Sequence, residues 1–578
     1  MHMLKRLSLV VAFVCAGFMA FATADWRHGE RQNVWPDGKI PDFQAHQVAA
    51  MTDESKAERG TMPYLEWFAA PEKPNGACMI LVSGGSYDCC CDIGLIRLWR
   101  DTFTKLGYQT VNLVYRTPRP RGLAIYQTAW EDGQRAVRLV RSQAKKRGFD
   151  PEKIGVIGMS AGGHLVTMLA TSALTPSYAK VDALDDLPCH VNVAIANAPA
   201  YNTVGAAKGD PRPEDGRMVA PKVNPCFKFD AKTCPITFHH GGLDPYTSNG
   251  STLCYLELRK RGVPTELHLY SDRGHGAFGL DRAVEFLNQI EFASKLAPEV
   301  ELMTRYPSDD ARASYEKQAI WPEGQMPDVR TNQCAPYIEW HLPKVLKTKA
   351  IQIVYSGGAY NYNGPESFEV TPIRRYLNAK GMAVVTMKYR TPRPAGLQKH
   401  QTAWEDLQRA IRVVRSQAAA RGLDPNRIGI MGSSAGGHLT MLGVTSSRQN
   451  AYAPIDDLDK ISCKVQWGIA IYPAYMLTDG ADGHNKDGGN AEADVLVREM
   501  HFDMDTAPVV FIHGDADDYS AMGSVKSWEQ MRKMGVQSDL HTLALRNHCF
   551  QMKAAPGTGS FTWMDRAWDF LTSKGFNK

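Results

Sequence analysis

Ile154-Gly155-Val156-Ile157-Gly158-Met159-Ser160-Ala161-Gly162-Gly163-His164 decides the reading of this chain, and it occurs twice. The second copy is Ile428-Gly429-Ile430-Met431-Gly432-Ser433-Ser434-Ala435-Gly436-Gly437-His438. Each copy is a short apolar run followed by Gly-x-Ser-x-Gly. That pattern predicts a strand turning sharply into a helix, with one serine lifted out of the backbone and glycines beside it where a Cβ would clash. Ser160 and Ser434 are the candidate nucleophiles.

The duplication reaches far beyond this motif. Val34-Trp35-Pro36-Asp37-Gly38 is echoed by Ile320-Trp321-Pro322-Glu323-Gly324, and Tyr64-Leu65-Glu66-Trp67 by Tyr337-Ile338-Glu339-Trp340. Tyr115-Arg116-Thr117-Pro118-Arg119-Pro120 opens a longer block that returns at Tyr389. The offset between copies is nearly constant, at almost half the chain, which is too long for a solenoid and marks a duplicated domain. At 578 residues the chain also exceeds one ordinary core. We divide it into a leader at 1–24, a first domain at 25–298, a linker at 299–319 and a second domain at 320–578.

Within each copy apolar strands alternate with amphipathic helices. In the first, Cys78 to Val82, Thr110 to Val114, Val191 to Ala196, Ile236 to His239 and Thr265 to Tyr270 read as strands. Ile93 to Leu106, Gln127 to Lys146 and Ser251 to Arg261 read as helices, with others starting at Ala161 and Leu280. This alternation implies a mostly parallel sheet covered by helices on both faces, with the chemistry at the carboxyl ends of the strands.

Alone, Gly-x-Ser-x-Gly is a chance-level motif. Its downstream partners supply the weight. Ser160 is succeeded by His240-Gly241-Gly242-Leu243-Asp244 and then by His275. Ser434 is succeeded by Asp517 and His548 in the same order, and the two sets of spacings differ by a single position at most. A serine hydroxyl is a poor nucleophile, so a histidine must take its proton and later return it to the leaving group. An aspartate holds that imidazole in the working tautomer. We therefore assign Ser160, Asp244 and His275, and Ser434, Asp517 and His548, although Asp515 and Asp518 flank Asp517. The glycine-rich loops Ser83-Gly84-Gly85-Ser86-Tyr87 and Ser356-Gly357-Gly358-Ala359-Tyr360 suggest oxyanion holes. Their expected N–H donors are Gly85 with Ala161 and Gly358 with Ala435.

Composition excludes several classes. Hydrophobic content of 44% and charged content of 22% are ordinary globular values. Lys5 and Arg6, the apolar run Leu7 to Phe21 and Ala22-Thr23-Ala24 read as a secretory signal peptide, too short to span a membrane. Cys15 beside a glycine leaves a lipidated variant open, although no convincing lipobox precedes it. Removing the leader takes away two positive charges and no negative one, leaving a net +3 that does not suggest nucleic acid as partner. The expected location is secreted or periplasmic, with no membrane span in the mature chain. Of the twelve cysteines Cys15 leaves with the leader; some of the remaining eleven should pair in that setting, and Cys226 with Cys234 is the leading candidate. Cys189 and Cys463 are expected to be buried in place. Adjacent Cys89-Cys90-Cys91 lack the loop-spaced partners of a metal site, and no metal is assigned.

The Gly-Gly-x-Tyr loops, the Tyr-Arg-x-Pro segments, the helix at Asp132 with its copy at Asp406, and Gly-x-Ser-Ala-Gly-Gly-His together resemble α/β-hydrolase esterases of the acetylxylan and bacterial feruloyl esterase type. The resemblance implies two tandem α/β-hydrolase domains and serine-dependent, cofactor-free hydrolysis of acyl groups on plant polysaccharide or oligosaccharide. Where such loops usually carry a third glycine, Ser86 and Ala359 stand, which bears on the geometry of the oxyanion hole. Asn547 and Cys549 replace Gly274 and Gly276 around the second histidine, leaving an altered or impaired second site open. Pro199 to Thr233 and Pro473 to Ala507 differ most between copies and are expected to cover the two sites. Two alternatives stand beside this reading. One is a serine exopeptidase of the prolyl-oligopeptidase type, the other one active domain with a non-catalytic binding partner.

Overall fold

The computed structural model describes residues 29–47, 62–91, 93–203, 222–293, 317–365, 367, 369–489, 495–550 and 563–578. The leader at 1–24 and all but the last three residues of the segment read as linker lie outside them. No described helix is long and apolar enough to cross a membrane. The described residues fall into two compact units, those up to 154 with 177–188, and those of 155–176 with 189–578.

In the first unit, strands β1 (Glu30–Asn33), β2 (Tyr64–Trp67), β3 (Cys78–Val82) and β4 (Gln109–Val114) lie in the order β1-β2-β4-β3. β3 and β4 run parallel, while β2 is antiparallel to both β1 and β4. β3 is buried along its whole length, which is why it reads as an unbroken apolar run. Helices α1 (Ile93–Lys105) and α2 (Gln127–Arg147) follow β3 and β4. α2 stops at Gly148, whose φ of +76° lets its N–H turn back to the Ala144 carbonyl.

A buried arginine explains why scattered blocks of sequence recur together. Arg116 Nε donates to Asp132 at 2.9 Å and Nη2 to Glu131 at 2.7 Å, with all three side chains fully buried. The Trp35 indole N–H donates to the same Asp132 at 2.6 Å. The Trp-Pro, Tyr-Arg-Thr-Pro and helix-α2 motifs thus meet at one clamp. The second copy rebuilds it from Arg390, Glu405, Asp406 and Trp321.

The second unit holds β5 (Ile154–Met159, from Gly155 on), β6 (Val193–Asn197), β7 (Ile236–Gly241) and β8 (Thr265–Tyr270) of the first copy. Helices α3 (Ala161–Thr171), α4 (Asn249–Lys260) and α5 (Leu280–Gln289) accompany them. The unit also holds the second copy: β9 (Lys317–Ala319), β10 (Tyr337–His341), β11 (Ile351–Tyr355), β12 (Ala383–Lys388), β13 (Ile428–Ser433), β14 (Trp467–Ile471), β15 (Val509–Gly514) and β16 (Asp539–Leu543). Its helices are α6 (Thr371–Ala379), α7 (Gln401–Ala418), α8 (Ala435–Thr445), α9 (Met522–Lys533) and α10 (Trp563–Ser573). Strand order is β5-β6-β7-β8-β16-β15-β14-β13-β11-β12-β10-β9. The pairs within β5–β8, and from β16 across to β12, are parallel. β10 is antiparallel to both β12 and β9. Each copy is thus the expected mostly parallel sheet with flanking helices. The first-copy elements fall close to their sequence-derived bounds.

The antiparallel pairing of β8 with β16 fuses the two copies. Leu269 faces Leu540 and His268 faces His541. Buried Glu266 accepts from Arg282 through both oxygens, at 2.5 and 3.0 Å, and from the Ala544 N–H at 2.9 Å. Asp539 accepts from the Ser271 N–H at 2.9 Å and from its hydroxyl. Helices brace loops of the opposite copy: Tyr255 and Arg259 hold Asp515, while Arg532 donates to Thr247, Ser248 and Asn249.

Burial raises the Asp539 carboxyl to about 6. Its folded value exceeds the unfolded ~3.9, so its contribution to stability is full below pH ~4 and lost as pH rises through about 6. Asp539→Asn keeps the acceptor for Ser271 and cannot ionise. Relative to the parent protein, it should gain about 2–3 kcal/mol between pH 4 and pH 7 in urea unfolding. A difference that does not change with pH contradicts this account.

Candidate active sites

Both serines sit at the turn the sequence predicts, between β5 and α3 and between β13 and α8. Ser160 has φ +57° and ψ −121°, and Ser434 has φ +55° and ψ −121°. This left-handed region costs a side-chain-bearing residue about 1–3 kcal/mol and persists only where the surroundings enforce it. Here the Ser160 N–H is tied to the Asn197 carbonyl and the Ser434 N–H to the Ile471 carbonyl, both at 3.0 Å. A Cβ on Gly158 would lie 2.4 Å from the Gly162 carbonyl oxygen, and one on Gly432 2.5 Å from that of Gly436. Glycine is therefore required ahead of each serine for the strand and the helix to approach.

The acid loops follow β7 and β15. His275 Nδ1 lies 2.8 Å from Asp244 Oδ2, and His548 Nδ1 lies 2.8 Å and 2.9 Å from the two oxygens of Asp517. Asp244 also accepts from the Tyr246 N–H at 2.8 Å, and Asp517 from the Tyr519 N–H at 2.7 Å. A second histidine in each loop escaped the sequence reading as a contributor. His240 Nε2 lies 3.2 Å from Asp244, and His513 Nε2 3.4 Å from Asp517. Each is oriented by a serine at Nδ1, Ser251 or Ser524, at 2.8 Å. Burial pushes the Asp244 carboxyl up, but hydrogen bonds from His240 and His275 outweigh it and hold it down at about 2. Asp517 is lowered by the same balance. Of the acids around Asp517, Asp515 faces Tyr255 and Arg259 instead of His548.

The copies differ at the last link. His548 Nε2 lies 2.7 Å from Ser434 Oγ, so serine, imidazole and carboxylate are joined in one line. Asn547 and Cys549 leave His548 within reach of both partners. Among the described residues no hydrogen bond joins His275 to Ser160, although Ser160 is buried and His275 is oriented by Asp244.

Near Ser434 the loop after β11 comes close. A Cβ on Gly357 would fall 2.7 Å from the Ser434 Cβ, so only glycine fits there. The Gly357 N–H is already committed to Glu369 Oε2 at 2.7 Å, and the Tyr472 hydroxyl donates to Oε1 of the same carboxylate at 3.1 Å. The Gly358 N–H has no hydrogen-bond partner among the described residues. Ala435, as the first residue of α8, has no intrahelical acceptor. In the first unit Gly85 has φ +122°, against +97° at Gly358. Ser86 and Ala359, both at φ +55°, adopt the left-handed conformation without the third glycine. Ala161 likewise begins α3.

The expected Cys226–Cys234 disulfide is not formed, and both are buried free thiols. Cys226 Sγ is turned to His164 Nε2 at 3.5 Å, and the Cys234 N–H is held by the Ala170 carbonyl. Cys189 and Cys463 are buried in place. Of the covering segments, residues 204–221 and 490–494 lie outside the described residues. The rest of the second cover, with Tyr475, Leu477, Asn485 and Gly488, lines a concavity with Tyr519. The Tyr519 ring packs 4.8 Å from that of His548. Lys399 sits 3.8 Å over the Tyr475 ring, and Arg393 pairs with Asp487 at 2.7 Å.

Comparison with known proteins agrees with this architecture. The BD-FAE family model matches residues 68–252 and again residues 338–525, about two thirds of the chain. An acetylxylan esterase of Xylanibacter ruminicola is 34% identical over 228 residues, covering 38% of this chain and 45% of that protein. The carboxylesterase NlhH of Mycobacterium tuberculosis is 27% identical over 235 residues, covering 35% and 65%. The chain thus spans less than two thirds of either relative. A solved acetyl ester-xyloside bifunctional hydrolase from Caldicellulosiruptor lactoaceticus is 24% identical with a TM-score of 0.38, over 46% of this chain and 97% of that one. With a mostly parallel sheet and a strand–serine–helix turn in each copy, the protein is an esterase-like α/β hydrolase of two tandem domains. It belongs to the BD-FAE family and carries that domain twice.

Proposed function

We propose that the protein is an exported serine carboxylic-ester hydrolase that removes acetyl and feruloyl groups from plant polysaccharide such as xylan. In this reading Ser160, His275 and Asp244 serve one site, and Ser434, His548 and Asp517 the other. The observation that carries it is the continuous line from Ser434 Oγ through His548 to Asp517. The similarity to an acetylxylan esterase supports the substrate class.

In the second site Ser434 Oγ attacks the ester carbonyl carbon while His548 Nε2 takes its proton. Asp517 stabilises the resulting imidazolium through Nδ1. The carbonyl oxygen, now negative, is received by the N–H groups of Gly358 and Ala435, which have no competing acceptor among the described residues. His548 returns the proton to the sugar oxygen as its bond to the acyl carbon breaks, freeing the sugar hydroxyl and leaving the acyl group on Ser434. Water then repeats the sequence and frees the acid. Ser160, His275 and Asp244 perform the same steps, with the imidazole closing on Ser160 as substrate arrives. The half-buried Tyr519 offers a ring face for a sugar, and Arg393 and Lys399 offer charge for a uronyl carboxylate.

Two measurements test this. Acetate and ferulate release from acetylated and feruloylated xylan should fall in different proportions for Ser160→Ala and Ser434→Ala. The double variant should lose about 10⁴–10⁶-fold of both; if one substitution abolishes every activity, the reading of two working sites is wrong. Asp517→Asn in the Ser160→Ala background should lower kcat by about 10⁴-fold, because the imidazole is then held in the wrong tautomer. Retention of activity there would remove Asp517 from the mechanism.

A further inference from the structure

The motif histidine of the second copy, His438, stands one helical turn beyond Ser434 at the start of α8 and has no part in the triad. Its surroundings form a buried donor cluster. His438 Nε2 lies 3.4 Å from Glu499 Oε1, and His400 Nδ1, at the N-terminal cap of α7, lies 3.8 Å from the same oxygen. Neither ring nitrogen completes a hydrogen bond. The ligating atoms of His400, His438 and Glu499 all lie within 4.8 Å of one another, and all three residues are buried. On the far side, His484 Nδ1 lies 2.9 Å from Glu499 Oε2, and His438 Nδ1 lies 2.8 Å from the Tyr360 hydroxyl.

Two imidazole nitrogens left without hydrogen bonds beside one carboxylate oxygen are costly in a dry interior. They are also what a borderline cation takes. Tetrahedral zinc bound at ~2.0–2.2 Å keeps its donors about 3.3–3.6 Å apart; the two imidazole–carboxylate pairs already lie at 3.4 and 3.8 Å, and the two imidazole nitrogens need to draw together by no more than about 1.4 Å. With the Tyr360 hydroxyl accepting from Nδ1–H, His438 presents its Nε2 lone pair inward, the orientation such ligands are given by outer partners. Lys399, the nearest cation, is held away on the Tyr475 ring and the Lys486 carbonyl.

Among the described residues the first copy has no such set. Tyr126 stands at the position of His400 and Cys226 at that of Glu499, and the Nε2 of His164 is taken by the Cys226 thiol. The difference is confined to the copy whose serine and histidine are hydrogen-bonded.

We propose that His400, His438 and Glu499 form a structural binding site for a first-row divalent cation of the zinc class, present in the second copy alone. It fastens the covering segment that carries Glu499 to α7 and to the helix that begins after Ser434. The full chain, stripped with a chelator and dialysed against zinc sulfate, should retain about one zinc by elemental mass spectrometry. His400→Tyr, which installs the first copy's residue, should retain less than about a tenth of that, while Ser434→Ala should retain as much as the parent. Cobalt in place of zinc should give visible absorption bands that His400→Tyr lacks. Chelator should lower the Tm of the parent protein and not that of the variant. If His400→Tyr does not fold, Glu499→Gln provides the same comparison. Zinc content in the parent no higher than in these variants, or a Tm unmoved by chelator, would overturn the site.

Discussion

The pairing of β8 with β16 is the constraint on which the second unit depends. Parallel strands on either side give each copy its own order, and this antiparallel join makes them one sheet. Its cost is a set of polar groups with no access to water, and the structure meets that cost locally. Glu266 receives both forks of Arg282 and a backbone N–H from across the join, and Asp539 receives the backbone and hydroxyl of Ser271. Removing one member of such a set leaves a buried charge uncompensated, which typically costs about 3–5 kcal/mol. The join also reaches the chemistry. Tyr255 and Arg259 grip Asp515, just ahead of Asp517, while Arg532 grips Thr247 to Asn249, just beyond Asp244. Each acid loop is therefore set by a helix of the other copy.

Much of this was legible in the sequence because it is local or repeated. The Gly-x-Ser-x-Gly turn fixes its own backbone, and apolar runs such as Cys78–Val82 and Ile428–Ser433 declare buried parallel strands. The order serine, aspartate, histidine, found twice at near-equal spacing, could be read without coordinates. Other features depend on pairs that no spacing connects. Glu369 gives no sign that it will occupy the Gly357 N–H and so leave Gly358 as the available donor. His268 and His541 look like alternating strand residues until the two copies meet. Cys226 looked like half of a disulfide because compartment and loop position favour one; its partner turned out to be His164, brought near by the turn at Ser160.

The duplicated frame has been kept more strictly than the sites it carries. The clamps of Arg116 and Arg390 match donor for donor, since each closes a fully buried charge set that tolerates no partial change. The histidine one turn beyond each serine is shared as well, yet it meets a thiol in one copy and a carboxylate with a second imidazole in the other. Divergence lies in the covering segments, where a change alters the neighbourhood of the site without disturbing the sheet.

The fused sheet also changes how concentration enters. Two separate chains meeting edge to edge would come apart on dilution, exposing the backbone of β8 and β16 as unsatisfied strand edges. In one polypeptide the partner edge is always present at a fixed effective concentration, so the join holds at any dilution. The duplication thus turns what would be a dissociating dimer into a permanent one, and makes the integrity of each acid loop independent of how much protein is present.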